Sequence, residues 1–441
     1  MKWNGRRYGL AVTIMLVVLI NGGLSRAQDP DSALHGTLGT LVLPELIQEV
    51  LARNPELIAA RQQWKAATNR IAQARSLEDP TLSVQLWNVP QTVNVTQAQN
   101  SIFGLSQSFP FPGKLALKGD VASRSAAITE QAFHAKEREL VARLKQVYYD
   151  LFLAQKAVQI HQEQVELLRQ LVESTNAKFR TGKGSQADVL KAQVELSVLH
   201  QHLPVLEQRR ETAQAMLNTL LDRDLTAPLG MAQEPSQRPL DKSLDDLHHL
   251  ASNASPELKA AELAVERTEQ SHALAQRQYY PDFNVAVQRF QNFQANDGFG
   301  AYVAMSIPFA FWTKPKYDAG VQEAAAAVAA AQAQQRTLEN LTRFQITDLL
   351  AKLRATDQVA TLYHTTILPQ AEQSLDAARA GYRTGKAGFL DLIETQRAWR
   401  GYQLEYFKVL VDRQHRLAEL EQVVGIDVDR QRASDAKEEH P

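Results

Sequence analysis

Hydrophobic residues recur with two different periods along this chain. From Asp120 to Thr181 there are 62 consecutive positions with neither Gly nor Pro, enough for a helix of about 93 Å at roughly 1.5 Å per residue. Within that stretch Leu140, Leu144, Val147, Leu151, Ala154, Val158, Val165, Leu168, Val172 and Phe179 fall on alternating steps of three and four, with His161 and Thr175 filling the two gaps. A period of about 3.5 is the seam of a left-handed coiled coil. A second such stretch runs from Val321 to Leu368, and its run VQEAAAAVAAAQAQQ permits close helix packing. Pro369 predicts a kink or break there, because proline lacks the N–H and crowds the preceding turn.

Elsewhere the period drops to two. Leu82, Val84 and Leu86 alternate with Ser83 and Gln85, and Phe103, Leu105 and Phe109 share one side of their segment. Phe283, Val285 and Val287 oppose Asn284, Ala286 and Gln288, while Ala301, Val303, Met305 and Ile307 oppose Tyr302, Ala304 and Ser306. Strands are therefore predicted at about 81–88, 101–109, 282–290 and 300–309. These lengths are near those a tilted strand needs to cross a bilayer, apolar face outward. A half-buried strand of a soluble sheet has the same pattern. The connections Asn88 to Asn100 and Gln291 to Asp297 are polar and read as loops on one side of the sheet.

Two near copies of one turn follow the long stretches: FRTGKGSQADVLKAQ from Phe179 to Gln193, and YRTGKAGFLDLIETQ from Tyr382 to Gln396. Each reverses the chain into another helix, Ser185 to Leu203 and Phe389 to Val424, so the turns are the tips of helical hairpins near 180–185 and 382–388. Gly182 and Gly385 suit the left-handed position that ends such helices. The likeness extends upstream, where Asn54 to Leu86 aligns with Ser255 to Val287 at a constant shift of 201 positions. Before each lies a short amphipathic stretch, LPELIQEVLAR and LDDLHHLASNA, and the strand pairs end in SFP and SIP. The chain thus divides into a first structural repeat over 28–230 and a second over 231–425.

Composition narrows the class. Lys plus Arg (48) nearly equals Asp plus Glu (49), and a net charge of −1 provides no basic field for nucleic acid. Lys2, Arg6 and Arg7, the apolar run YGLAVTIMLVVLI and the small-residue site ending at Ala27 predict a signal peptide over 1–27, the alternative being an uncleaved anchor. With 0 Cys the chain has no disulfide, thiolate ligand, cysteine nucleophile or lipid-bearing N-terminal Cys. No later run is apolar enough for a membrane helix, so membrane insertion would require a β-barrel, and four strands cannot close one without oligomerisation. RTGKGS lacks the leading glycine of a phosphate loop. His200 to His202 and His248-His249 lack a third ligand at metal spacing, and His161 on the seam reads as a packing compromise or a tunnel-facing polar group. No nucleophile elbow or HExxH helix is present, so no catalytic residue, metal or cofactor is predicted. Residues 426–441 read as a disordered polar tail.

From about Leu41 to Gly425 the chain resembles the TolC-like outer membrane efflux proteins. The resemblance rests on the two [FY]-R-T-G-K turns with Asp six residues after each Gly, the NPEL and SPEL helix starts, and the strand pairs between helices. It implies a mainly α fold with a small β part, in which a homotrimer combines four strands per protomer into one outer-membrane barrel and long coiled-coil helices into a periplasmic tunnel. SFPFPGKLALKGDVA, from Ser108 to Ala122, resembles the strand-to-helix junction of members paired with heavy-metal exporters of the resistance-nodulation-division class. The implied function is a passive exit duct for small solutes, heavy-metal cations among them. Its implied partners are a periplasmic adaptor, an inner-membrane resistance-nodulation-division pump and outer-membrane lipid. The alternatives are an exit duct for secreted polypeptides and a structural coiled-coil spacer of the envelope.

The resemblance also assigns residues. Asp391 and Glu394 stand at the positions of an acidic ring that closes the periplasmic mouth, and Asp188 and Tyr382 match a pair bonding across adjacent hairpins in the closed state. Where that network has an arginine this chain has Ala387, with Lys386 beside it. Phe179, Arg180, Gly182, Arg383, Gly385 and Lys386 form the tips at which an adaptor docks. The simpler role for Asp188, Asp391 and Glu394 is that of acidic caps in a first helical turn, where the helix dipole favours carboxylates.

Overall fold

A computed structural model describes residues 39–87, 89, 98, 100–238, 240–292 and 296–428. The signal-peptide segment 1–27 and all but the first residues of the 426–441 tail lie outside them. From Thr40 on the chain forms one unit, built from α1 (Leu43–Arg53), α2 (Pro55–Arg75), β1 (Thr81–Trp87), β2 (Asn100–Phe109), α3 (Lys114–Arg180), α4 (Gln186–Leu220), α5 (Leu244–Ala254), α6 (Pro256–Arg277), β3 (Phe283–Asn292), β4 (Gly298–Met305), α7 (Lys314–Leu362), α8 (Leu368–Thr384) and α9 (Phe389–Val424). The fold is mainly helical with one small sheet.

Local chemistry sets the helix starts. Asn54 Oδ1 accepts the Glu56 N–H at 2.9 Å while Pro55 takes the first position, where no N–H is needed. Ser243 and Asp246 bond each other's N–H groups, a capping box that opens α5.

The long helices form a single layer. Toward the sheet, α2 packs on α3, α3 on α6 and α6 on α7; toward the hairpin turns, α4 packs on α3, α3 on α9, and α9 on α7 and α8. Two cores hold the middle. Leu46 and Val50 of α1 meet Leu144, Tyr148 and Leu151 of α3 and Leu217 of α4. Leu247 and Ala251 of α5 meet Ile346, Leu350 and Leu353 of α7 and Leu420 and Val424 of α9. The segment between α4 and α5 is strapped across this waist. Tyr148 Oη donates to Leu41 O and accepts the Gln233 N–H, and Arg413, buried on α9, pairs with Asp357 at 2.5 Å and bonds Ser236 O.

The sheet runs β1-β2-β3-β4, antiparallel throughout. Its register places Leu82, Leu105, Val287 and Ala301 in one row on one face, and Ser83, Gly104, Gln288 and Gly300 in a row on the other. The apolar face is uncovered: Leu82 is 74% and Val303 70% exposed.

Several boundaries differ from the sequence expectation: β3 runs on to Asn292, and Ile426 and Val428 pack on the core instead of belonging to the disordered tail expected over 426–441. β4 ends at Met305 rather than near 309, because the Ser306 N–H turns to Asp282 O and Pro308 has no N–H for a ladder. Thr313 Oγ1 then donates to Pro308 O and Ala310 O and folds the segment into a turn. α4 passes through Pro204 instead of ending at Leu203. Apolar packing of Leu199 before it and Leu217 after it outweighs the one missing donor. Beyond α7 the break expected at Pro369 is a π-helical turn, Tyr363–Ile367. The Leu368 N–H reaches back to Tyr363 O, since the proline ring displaces the carbonyl of the preceding turn.

The FPFPGK junction is tied by a buried cation. Lys114, its side chain only 3% exposed, donates to Tyr280 O at 2.9 Å and Asp282 Oδ1 at 2.8 Å. The Phe111 N–H bonds the same carboxylate and its ring stacks on Tyr280 at 4.6 Å. Lys114→Met leaves Tyr280 O without this donor and Asp282 without its counter-charge, with only the Phe111 N–H on its carboxylate; a loss of about 2 kcal/mol is expected, below the fully buried case because Asp282 is partly solvated. The check is the thermal midpoint in detergent, with Lys114→Arg expected between wild type and Lys114→Met.

Candidate functional site at the hairpin tips

Both turns are left-handed C-caps. Gly182 has φ +71° and Gly385 φ +76°, and a Cβ on either would meet nothing within 4 Å, so the backbone angle alone selects glycine. The Lys183 N–H bonds Lys178 O at 2.9 Å, and the Lys386 N–H bonds Gly381 O at 2.8 Å, the closure expected of such caps. Arg180, Lys183, Arg383 and Lys386 are exposed around the turns, giving each tip two exposed cationic side chains, and Phe179 is exposed with them.

Past the turns the acidic residues begin new helices. Ser185 Oγ accepts the Asp188 N–H at 3.1 Å, and Asp391 Oδ2 accepts the Gly388 N–H at 3.1 Å. Asp391 therefore caps its own helix. Glu394 lies exposed one turn on and lines a groove between α8 and α9 with Ile367, Ser374 and Tyr402.

Tyr382 is buried inside its own chain. Its Oη lies 3.3 Å from Thr175 Oγ1, its ring packs edge-on against Phe389, and Lys178 Nζ sits 3.8 Å above its ring centroid while donating to Tyr382 O at 2.5 Å. Within one chain Tyr382 and Asp188 are not brought together; among the described residues Tyr382 is held by α3 instead.

Sequence reasoning did not find the groups that fasten the two hairpins. Arg397 of α9 grips Glu195 of α4 with two donors, Nε at 2.9 Å from Oε1 and Nη2 on Oε2. Gln396 Nε2 donates to Gln164 Oε1 of α3 at 3.1 Å. The Arg397 bonds hold the Glu195 carboxyl below its usual range, with burial opposing them. No repeat signal marks Arg397, whose counterpart after the first turn is Val194. Thr175 and His161 were visible only as gaps in the seam. His161 is buried, with Nε2 2.6 Å from Leu199 O, and burial pulls its pKa down. Among the described residues no three metal-ligating side chains gather.

The family described as outer membrane efflux protein matches residues 46–223 and 247–426. The chain belongs to that family. As an outer membrane efflux protein it is an export channel and not an enzyme, which removes the envelope-spacer alternative. The cobalt-zinc-cadmium resistance protein CzcC of Cupriavidus metallidurans is 23% identical over 399 residues, spanning 88% of this chain and 90% of that protein. The outer-membrane channel OprN superposes with a TM-score of 0.74 at 16% identity, covering 87% of this chain and 89% of that one. CusC, solved in a study of folding and transmembrane channel formation, superposes at 0.72 with 18% identity over 87% and 92%. At those identities the two structures show the fold.

The link between hairpins in this efflux protein depends on pH with a definite sign. Because the Glu195 carboxyl is lowered in the folded chain, its contribution is complete above the ordinary value of 4.5 and is lost as pH falls through the folded value. Hydrogen exchange over the start of α9 is expected to quicken below that value in wild type. In Arg397→Gln it is expected to be quickened already at pH 7, by about fivefold for a partly exposed pair.

Proposed function

We propose that this chain is one protomer of a homotrimeric duct whose strands complete a single outer-membrane barrel and whose helices form the periplasmic tunnel of a tripartite efflux pump. The observation that carries the reading is the sheet. β1 and β4 each pair on one side only, beside an exposed apolar face. In lipid each unpaired backbone group costs several kcal/mol, so the edges require strands from other copies. The helix layer agrees, for it also stops at open edges: Ile58 on α2, Leu190 and Val194 on α4, and Leu341 and Phe344 on α7 are exposed. The number three, and twelve strands, follow from the family resemblance.

The sheet-to-helix turn after β4 supports a membrane boundary there. Phe311 is 83% and Trp312 71% exposed, beside Phe309, and Lys314 and Lys316 come next in the chain. Aromatic rings followed by lysines suit a headgroup layer, with the helices beyond it in the periplasm. No described helix is long and apolar enough to cross a membrane.

The two structural repeats, 28–230 and 231–425, each supply two strands and one hairpin to this plan. At the tips Phe179, Arg180, Gly182, Arg383, Gly385 and Lys386 receive a periplasmic adaptor, and an inner-membrane resistance-nodulation-division pump provides the energy. Three copies of Asp391 and Glu394 ring the mouth, where carboxylates attract cations. The resemblance assigns Asp188 and Tyr382 to the same gate, with Tyr382 seated on Thr175 and Lys178 of its own chain. For the cargo we favour heavy-metal cations, supported by the likeness to CzcC.

A strain deleted for the gene, compared with its parent on copper, silver, zinc, cobalt, nickel, detergents and antibiotics, is expected to be hypersensitive to metals alone. Sensitivity confined to organic compounds defeats the metal reading, and no sensitivity at all moves the assignment to polypeptide export. In planar bilayers Asp391→Asn with Glu394→Gln is expected to lower cation preference and to weaken block by divalent cations. Unchanged selectivity in a trimeric double variant would remove both residues from the constriction.

A further inference from the structure

At the opposite end of α9 from the gate lies a carboxylate that nothing in export uses. Glu421 is 6% exposed on the seam between α9 and α3. Lys145 of α3 donates to its Oε2 at 2.5 Å, and its Oε1 has no hydrogen-bond partner among the described residues. Asp427 approaches the same lysine, its Oδ2 3.9 Å from Lys145 Nζ. One ammonium thus serves two carboxylates, Glu421 buried and Asp427 partly exposed. Beside them is a hollow of about 140 Å³. α1 lines it with Ile47 and Leu51, which carry no charge, and α3 adds Arg138 as the further charged group. On the neighbouring face of α9, Glu419 is occupied by Gln146 at 3.3 Å.

Asp427 reaches this site because α9 ends in an obligatory reversal. Gly425 has φ +88°, and a Cβ there would lie 2.6 Å from Ala254 O. The chain therefore bends back, and Val428 enters the core formed by α5, α7 and α9.

A buried carboxylate and a half-buried one can bond each other only if one carries a proton, which then supplies the donor that Glu421 Oε1 lacks. We propose that Glu421 and Asp427 share one proton above Lys145, and that this proton fastens the Gly425–Val428 turn to α3. The electrostatics agree in direction. Burial, helped by Asp427 and opposed by Lys145, pushes Glu421 up to about 7. A carboxyl raised in the folded state stabilises it fully below the ordinary value of 4.5, and the contribution is lost as pH rises through about 7. The turn is tight in acid and loosens toward neutrality. This inference does not depend on the cargo or on the gate.

Hydrogen exchange of the peptide covering 420–428, in the purified full chain and corrected for intrinsic rates, reads the fastening directly. Protection is expected to fall at least tenfold between pH 5 and pH 7.5 and then to level off, a tenfold change corresponding to one unit of pKa difference. Glu421→Gln places a permanent donor between the two groups and is expected to stay protected across the range. Asp427→Asn, at a less buried position, is expected to do the same and serves if the first variant folds poorly. Lys145→Met is expected to carry the fall to higher pH, because it removes the charge that favours ionisation; a lysine that merely packs would lower protection equally at every pH. A flat wild-type profile overturns the proposal. So does a Glu421→Gln profile that keeps the wild-type slope.

Discussion

Every other part of this chain depends on α3 remaining unbroken. α1, α2, α4, α6 and α9 all pack against it. A helix of 67 residues is not stable through its own hydrogen bonds alone; it persists because its seam is covered along most of its length. Near its two ends it holds the second half of the chain by a lysine. Lys114 seats on Asp282 where the strands begin, and Lys178 lies on Tyr382 where the second hairpin turns. A break anywhere between would uncouple the sheet from the tips.

Much of this was legible in the residues. Of the seam positions, Leu140, Leu144, Val147, Leu151, Val158, Leu168 and both polar substitutes, His161 and Thr175, are buried. The alternating segments pair with their apolar positions in register. Period is readable because it is repeated many times, so one exception does not hide it. What was not legible depends on single contacts between distant positions. Arg397 meets Glu195 across helices that only the packing makes adjacent, and Lys114 is an unexpected buried lysine until Asp282 is beside it. Proline misled at Pro204 because its cost is a single donor, while the packing around it involves several side chains.

The two halves share a plan but not a lining. Where α1, α2 and α3 meet, Leu57, Phe133 and Leu140 fill the space with apolar side chains. Where α5, α6 and α7 meet, Leu258 is joined by Gln335 and Thr342, and a hollow of about 270 Å³ remains beside His248 and Ser252. At this junction burial of large apolar groups stabilises the first half, while its counterpart in the second half is lined by polar side chains. A substitution of one kind is therefore not equivalent at corresponding positions.

The π-helical turn at Tyr363–Ile367 has a consequence for phase. Leu144 and Leu151 correspond to Ile346 and Leu353, 202 positions on, whereas Phe179 and Gly182 correspond to Tyr382 and Gly385, 203 positions on. One residue more lies in the second half, between core and tip, and the π turn is where the helix widens to take it in. Carried in ordinary α geometry, that residue would rotate everything after it by about 100°, swinging Tyr382 away from Thr175 and Lys178. The bulge is the scar of an insertion absorbed on the spot, and it keeps the second hairpin facing the first.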